Sequence, residues 1–258
     1  MFPTILRYDS LPSTNTEAAR AAGMGAQEGL CVISREQTAG RGRREREWIS
    51  PLDAGLYFSI VLRPKMEQKH WPLLTLMASL SVHDALLEAC SLETDIKWPN
   101  DVYAGERKLC GILAETVESD AGRAVIIGIG INLNDRAFPE ELKTVATSVE
   151  AESGREVDRE RLIESLVASL LKKYEALQGP GGARLILGEW SARSSYAVDK
   201  PVRVELSDEI IEGVTRGLEP DGALRVETVA GDIKLVRAGD VWALRADLKR
   251  AEDEKPKA

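Results

Sequence analysis

The chain has 258 residues, 43% of them hydrophobic and 29% charged, with a formal net charge of −8 and a sequence pI of about 5.1. That is enough chain for one large domain, or for a medium domain with a small satellite, and the acidic balance argues against a nucleic-acid backbone as partner. Three widely spaced cysteines and two histidines leave no material for a disulfide framework, a zinc site of ordinary spacing or a Ser–His–Asp triad.

An N-terminal charged-then-apolar signal is absent, and so is any uninterrupted apolar run of roughly 18 residues. The expectation is a soluble, cytoplasmic protein with no membrane partner. Cys31, Cys90 and Cys110 are read as reduced.

In chain order, Ser13-Thr14-Asn15-Thr16-Glu17 precedes an alanine-rich run, and Thr14 with Glu17 three residues on fits a capping box that starts a helix. The same hydroxyls and amide could instead face a pocket and hydrogen-bond a polar head group. Leu30 to Ser34 reads as a buried strand. It leads into Gln37–Trp48, a stretch holding Arg41, Arg43, Arg44 and Arg46, Gly40 and Gly42, and no aliphatic side chain larger than alanine. Such a segment cannot bury itself, so a mobile loop is expected. Its guanidinium forks suit carboxylate or phosphate oxygens, its glycines allow close backbone approach, and Trp48 offers a flat face to a purine. A solvated basic loop is the bland alternative.

Ser50-Pro51 and Gly55 mark a turn before a strand from Leu56 to Leu62. From Trp71 to Cys90, Leu73, Leu76, Met77, Leu80 and Leu87 fall on one helical face, with His83 nearby as a packing residue. Ile96-Lys97-Trp98-Pro99-Asn100-Asp101 then ends a strand in a sharp turn that presents Asn100 and Asp101, either as an Asx turn or as ligands for magnesium or an attacking amine. Lys108 precedes a strand interrupted by Gly111. Val125 to Leu133 is a strand broken by Gly128 and Gly130 and ending in Asn132. Glycine weakens a strand, so each of the three marks either a bulge or something lying against the main chain.

No Gly-x-Gly-x-x-Gly with a following helix and no P-loop occurs, so nucleotide phosphates would have to be held by side chains. Asp158 to Leu177 carries one apolar stripe through Ile163, Leu166, Val167, Leu170, Leu171, Tyr174 and Leu177. A shorter helical piece with Trp190 follows. After Ser195 come short alternating strands: Val202-Val204-Leu206, Val214 onward, Leu224-Val226-Thr228, Ile233 to Val236 and Val241 to Leu244. Asp221-Gly222 and Gly231-Asp232 punctuate them. A satellite domain over 196–246 and a charged tail from Asp247 to Ala258 complete the reading, with the larger domain spanning 1–195.

Six of these stretches in register resemble the biotin–protein ligases: Ser13-Thr14-Asn15, Gln37-Thr38-Ala39-Gly40-Arg41-Gly42-Arg43 with Trp48, Gly55-Leu56-Tyr57, Lys97-Trp98-Pro99-Asn100-Asp101, Lys108-Leu109-Cys110-Gly111-Ile112 and Gly128-Ile129-Gly130-Ile131-Asn132. The resemblance implies an α+β fold: a mixed sheet packed with helices, like class II aminoacyl-tRNA synthetases, plus a small C-terminal SH3-like β-barrel. It implies that biotin and MgATP give biotinyl-5′-AMP, and that a lysine of a biotin carboxyl carrier domain then takes the biotinyl group.

In family terms Ser13, Thr14, Asn15, Gln37, Gly40, Arg41, Tyr57, Lys108, Gly111 and Gly128 would line the biotin pocket. Arg43, Arg44, Arg46, Trp48, Asn100, Asp101, Lys108, Ile131 and Asn132 would border the adenylate. Lys108, Arg41, Arg43 and Asp101 are the catalytic candidates, the first three as cations at the developing phosphate charge. No protein cage for a metal is expected, Mg²⁺ arriving with ATP and Asp101 being the carboxylate that could touch it. One departure stands out: where the better-known bacterial loop has a second glycine, this chain has Glu45, and Glu47 precedes Trp48.

Rival readings are a lipoate or octanoate ligase, a biotin-sensing repressor and a catalytically dead binding protein. The twelve residues before Ser13 are too few for a helix-turn-helix, and no nucleic-acid partner is expected. An exposed sheet edge near the loop is compatible with a homodimer.

Overall fold

The computed structural model describes residues 3–119, 122–206, 209–237 and 239–243. Leu244 and the stretch from Asp247 to Ala258 lie outside the described residues. The larger part is built from strands β1 (Thr4–Leu11), β2 (Leu30–Gln37), β3 (Gly55–Leu62), β4 (Asp95–Lys97), β5 (Asp101–Ala104), β6 (Arg107–Val117) and β7 (Ala124–Asn132). Its helices are α1 (Thr14–Gly23), α2 (Pro72–Cys90), α3 (Val149–Ser153), α4 (Arg159–Gln178) and α5 (Gly182–Arg193). The strands form one mixed sheet in the order β1-β2-β3-β7-β6-β5-β4, parallel between β1 and β2 and antiparallel elsewhere.

The two faces of this sheet are treated differently, and the difference creates the site. On one face Cys31, Ile33, Phe58, Ile60, Ile112, Ile127 and Ile129 pack under α2, α4 and α5 in a single large core. α2 is buried almost all round, from Leu73 through Leu86, rather than along one stripe; Leu87, expected on the inner face, is exposed. A helix apolar on every side is a core helix, and it lies sandwiched between the sheet and α4. α4 itself matches expectation, with Asp158 capping the Arg161 amide and Leu162, Ile163, Leu166, Leu170 and Tyr174 turned inward.

On the other face α1 is the only helix among the described residues. Its ten residues span about 15 Å, so Ala18 and Ala22 cover Val32, Val61, Ala124 and Ile126 at one end of the strands and leave the other end open. Along β7 the residues on this open stretch are Gly128, Gly130 and Asn132, and along β3 they are Tyr57 and Ser59. A period of two therefore places large aliphatics on the helix-packed face and small or polar residues here.

The C-terminal part comprises β8 (Val198–Glu205), β9 (Ile210–Leu218), β10 (Leu224–Thr228), β11 (Ile233–Val236) and β12 (Asp240–Ala243). They form an antiparallel sheet in the order β11-β10-β9-β8-β12, curled as a half-barrel in the manner of an SH3-like domain. Gly222 and Gly231 sit in its turns with φ of 85° and 87°, a region where glycine carries no Cβ penalty. Val202, Val204, Leu224 and Val226 belong to the same apolar cluster as the helices of the larger part. Trp98 Nε1 also donates to the Gly222 carbonyl at 2.9 Å. The satellite is thus seated on the larger sheet through a shared core, with β12 brought beside the open face.

Candidate active site

A cavity of about 450 Å³ fills the open half of the sheet face, within the range of roughly 300–1,000 Å³ usual for small-molecule sites. Its floor is the strand backbone at Gly111, Gly128 and Gly130, and no bulge interrupts the pairing there: Gly111 faces Gly130 and Leu113 faces Gly128 in a continuous register. The three glycines mark close approach, and two side chains of this chain make it. A Cβ on Gly128 would sit 2.2 Å from Asn15 Oδ1. One on Gly130 would sit 2.5 Å from Trp48 Nε1, and one on Gly111 would sit 3.0 Å from Trp48 Cζ3.

At one end, α1 begins. Its N-cap is Ser13, whose Oγ accepts from the Thr16 amide; Thr14, expected as the cap, is the first helical residue. Glu17 turns to Arg20 and Tyr8 instead of closing a capping box. Thr14 is thereby free for the cavity: its amide donates to Gln37 Oε1 at 2.8 Å and its hydroxyl lies 3.1 Å from the same oxygen. Gln37 Nε2 donates to Ser50 Oγ at 2.9 Å. Ser59 Oγ lies 2.8 Å from Thr14 Oγ1 and donates to Asn15 Oδ1 at 2.6 Å, while Asn15 Nδ2 donates to Glu115 Oε2 at 2.7 Å. Ser13, Thr14, Asn15 and Ser59 are all buried. This end is a neutral, mutually bonded array set on a helix start and three strands.

The other end is cationic. Lys108 Nζ lies 2.7 Å from Asp101 Oδ1 and 5.5 Å from the centre of the Trp48 ring. Asn100 ties the β4–β5 turn to β6 by donating to the Ile112 carbonyl at 2.8 Å, and its Oδ1 accepts from Arg43 at 3.0 Å. Lys97, across the hairpin from Asp101, is buried in the wall with its ammonium 3.1 Å from Tyr103 Oη. Burial pushes the Lys97 ammonium below the ordinary lysine range, opposed by Asp101. Burial likewise lowers Arg43, opposed by Asp240 and Asp101. Phe138, Leu142, Val145 and Ala146 add an apolar wall here beside Asn132 and Trp48.

The roof is the arginine segment, and it is folded. Gln37 and Ser50 pair at its base, Arg41 and Glu47 form a second bridge, and the Gly42 amide donates to the Arg46 carbonyl at 2.7 Å. At its tip Arg44 and Glu45 have φ of 54° and 60°, a left-handed pair that costs roughly 1–2 kcal/mol per non-glycine residue. Position 45, where the family pattern has glycine, is thus a place where a Cβ is unwelcome. Tip and C-terminal sheet meet directly: Arg44 Nη1 and Arg46 Nη2 lie 3.4 and 2.5 Å from Asp240 Oδ2, and Arg44 Nη2 donates to the Glu205 carbonyl at 3.4 Å.

Most of the residues expected at a site therefore line one cavity: Ser13, Thr14, Asn15, Gln37, Arg41, Arg43, Arg46, Trp48, Tyr57, Asn100, Asp101, Lys108, Gly111, Gly128 and Asn132. Four expectations need correcting. Gly40 is buried in the loop base, where a Cβ would meet the Trp48 carbonyl at 2.3 Å, so its role is to let the loop close. Ile131 points into the large core. Arg44 leaves the cavity for the C-terminal sheet. Arg41 lines the cavity, but its guanidinium lies 3.0 Å from Glu115 Oε2, not with Lys108 and Arg43. Lys108 reaches Gly111, and Glu115 lies four residue steps further along the strand, about 13 Å away.

Sequence reasoning missed Ser59, Glu115, Tyr103, Asp240 and the 138–146 wall. Ser59, a lone hydroxyl inside an apolar strand, was the one visible signal.

Two family descriptions match the chain. That of the biotin/lipoate A/B protein ligase family covers residues 8–132, and that of the biotin protein ligase C-terminal domain covers residues 198–242. The bifunctional ligase/repressor BirA of Bacillus subtilis is 37% identical over 242 residues, spanning 92% of this chain and 73% of the relative. The biotin–[acetyl-CoA-carboxylase] ligase of Paracoccus denitrificans is 36% identical over 237 residues, spanning 89% and 96%. Among solved structures, the biotin protein ligase from Aquifex aeolicus in complex with biotin and ATP superposes with a TM-score of 0.82 at 30% identity, covering 95% of this chain and all of that one. Sequence, fold and the sheet-face cavity agree, and the chain belongs to the biotin–protein ligase family.

Proposed function

We propose that the chain activates biotin with MgATP to biotinyl-5′-AMP, releases pyrophosphate, and passes the biotinyl group to a lysine of a biotin carboxyl carrier domain. The observation that carries this reading is one cavity with two chemically opposite ends joined by a glycine floor. Biotin is a neutral bicyclic ureido head joined through an aliphatic chain to a carboxylate. The Ser13–Thr14–Asn15–Gln37 array offers hydrogen-bond donors and acceptors to the head. The aliphatic chain would run over the floor between Asn15 and Trp48, and the carboxylate is delivered to Lys108 and Arg43.

There the carboxylate oxygen attacks the α-phosphorus, the P–O bond to pyrophosphate breaks, and negative charge gathers on phosphate oxygens. Lys108 and Arg43 are cations already in place, with Asp101 and Asn100 fixing their heads, so little reorganisation accompanies the reaction. The apolar wall of Phe138, Leu142 and Val145, with Asn132 beside it, suits the adenine. The Trp48 indole N–H is buried with no acceptor among the described residues; a ligand oxygen would satisfy it.

In the second step the lysine nitrogen attacks the acyl carbon of the mixed anhydride, AMP leaves, and the amine gives up a proton. Until then the anhydride must be kept from water, and the arginine segment is the cover. Among the described residues no three metal-ligating side chains cluster. Asp101 is matched to Lys108, so the residues fit a magnesium ion that would arrive with the nucleotide phosphates, Asp101 being the carboxylate that would meet it. The ion would neutralise phosphate charge.

The unpaired Cys31, Cys90 and Cys110 suit the reducing cytoplasm, the compartment we assign. ATP–pyrophosphate exchange tests the reading: exchange that depends on biotin, followed by labelled transfer to a carrier domain, is expected. Exchange driven by lipoate or octanoate, with biotin inert, would overturn it.

A further inference from the structure

We infer that Asp240, on β12 of the C-terminal sheet, is a positioning residue that holds the arginine segment closed over the cavity and so sets how long the activated intermediate is retained. The inference rests on the function proposed above and adds a point of control outside the larger sheet.

Two independent observations meet at Asp240. Its carboxylate is only 15% exposed and receives two guanidinium groups, Arg44 at 3.4 Å and Arg46 at 2.5 Å. Backbone carbonyls of the same sheet take two more contacts from the tip, Glu205 from Arg44 and Gly239 from Arg43, each at 3.4 Å. Separately, the tip backbone is in an unfavoured shape, left-handed at both Arg44 and Glu45. A strained segment persists only where its surroundings hold it, and charge-assisted bonds to a screened carboxylate are strong enough to do so.

The base of the segment is pinned by its own backbone pairs, so only the tip is free to lift, and what it lifts from is Asp240. Arg43, which faces Asn100 and the cavity, is carried on the same tip. Opening would therefore withdraw a cation from the phosphate and admit water in one movement. With the bridge removed, the larger sheet keeps its neutral end and Lys108 intact, while the cover relaxes.

Full-length protein is loaded with biotin and ATP, desalted rapidly, and followed for release of the intermediate. Asp240→Asn is expected to release it roughly tenfold faster, the change that about 1.4 kcal/mol produces and the scale of one charged hydrogen bond. Asp240→Glu, which keeps the charge, should restore most of the retention. Arg46→Ala/Asp240→Asn should release no faster than Asp240→Asn alone, because both changes break one contact.

In a second arm, ligand-free protein is exposed to trypsin, and faster cleavage after Arg44 and Arg46 is expected in Asp240→Asn. Parent-like retention and cleavage in Asp240→Asn, or effects that multiply in the Arg46→Ala/Asp240→Asn double variant, would overturn the assignment. Should Asp240→Asn not fold, Arg44→Ala/Arg46→Ala compared with the parent carries the release readout and, its own two cut sites being removed, cleavage after Arg43, with faster release expected and unchanged release overturning it. The proteolysis arm needs neither biotin nor ATP. A parent that forms no intermediate would therefore sink the proposed function alone and leave the latch to be decided by cleavage.

Discussion

The two ends of the cavity do opposite things with their polar groups. At the α1 end, Thr14, Asn15, Gln37, Ser50 and Ser59 bond to one another on rigid elements, and four of the five are buried with Ser13 beside them. At the roof end, Arg43, Arg44 and Arg46 hang on a loop and find their partners in another turn and another sheet. A neutral head group has to be matched by fixed donors and acceptors, since a misplaced buried amide or hydroxyl costs about 1–3 kcal/mol. Charge that must be met, screened from water and then released asks for cations that can travel. The sheet supplies the first and the loop the second.

The largest expected effect breaks the cationic end alone. Lys108→Ala should lower the maximal rate of biotin-dependent exchange by roughly 10²–10³, the usual result of deleting one preorganised group that stabilises transition-state charge. Binding of an uncharged biotin amide, read by calorimetry, should change little, because the head group never meets Lys108. If the amide lost affinity as steeply as the rate fell, the two ends would not be separable.

Gly128→Ala attacks the rigid end. Its Cβ would lie 2.2 Å from Asn15 Oδ1, so Asn15 must leave Ser59 or Glu115. One buried group left unsatisfied predicts biotin affinity weaker by roughly 10- to 100-fold. The saturated exchange rate should remain within about threefold of the parent, since the reacting atoms lie elsewhere. A collapse of the rate at saturating biotin would show that the floor positions the chemistry and not only the head.

A pH profile sharpens the same contrast. Burial lowers Lys97 from its ordinary 10.5, so the ammonium loses its proton, and the cationic end a charge, as pH rises through that depressed value. Exchange should begin to fall on the alkaline side before ordinary lysines titrate, and Lys97→Arg, which stays charged, should move that limb upward. Biotin amide binding should be flat across the same interval. An alkaline limb left in place by Lys97→Arg would assign it to another group.

How much of this could be read from residues alone follows the same division. The helix from Asp158, the strands around Gly111 and Gly128–Gly130, and the arginine segment each carry a local period or a local oddity, and each lies where that pattern put it. β1 was invisible because an edge strand with mostly exposed side chains shows no alternation. The 138–146 wall has no period, being turns that matter only for what they lean on. Arg41 keeps its expected place in the cavity wall, but sequence alone also sets it among the catalytic cations, because Glu115, its partner, lies 74 residues away. Asp240 lies 194 residues from Arg46, and nothing around it marks an acid aimed at another domain. Local chemistry is legible in sequence; pairing across the fold is not.

Glu45 tests the roof end most gently. Its backbone has φ of 60°, and replacing it with glycine removes a left-handed penalty of about 1 kcal/mol, worth roughly fivefold in an equilibrium. Glycine also frees the open loop, an opposing effect of about 0.4–1 kcal/mol at positions without strain and the smaller of the two where φ is positive. The net expectation is that Glu45→Gly releases biotinyl-adenylate a few-fold more slowly than the parent. The Glu45 carboxylate does not line the cavity, so Glu45→Gln, which removes the charge and keeps the Cβ, should release at the parent's rate. If glutamine slowed release as much as glycine, charge and not backbone strain would govern the cover. Equal release from all three proteins would mean that the tip conformation has no part in holding the intermediate.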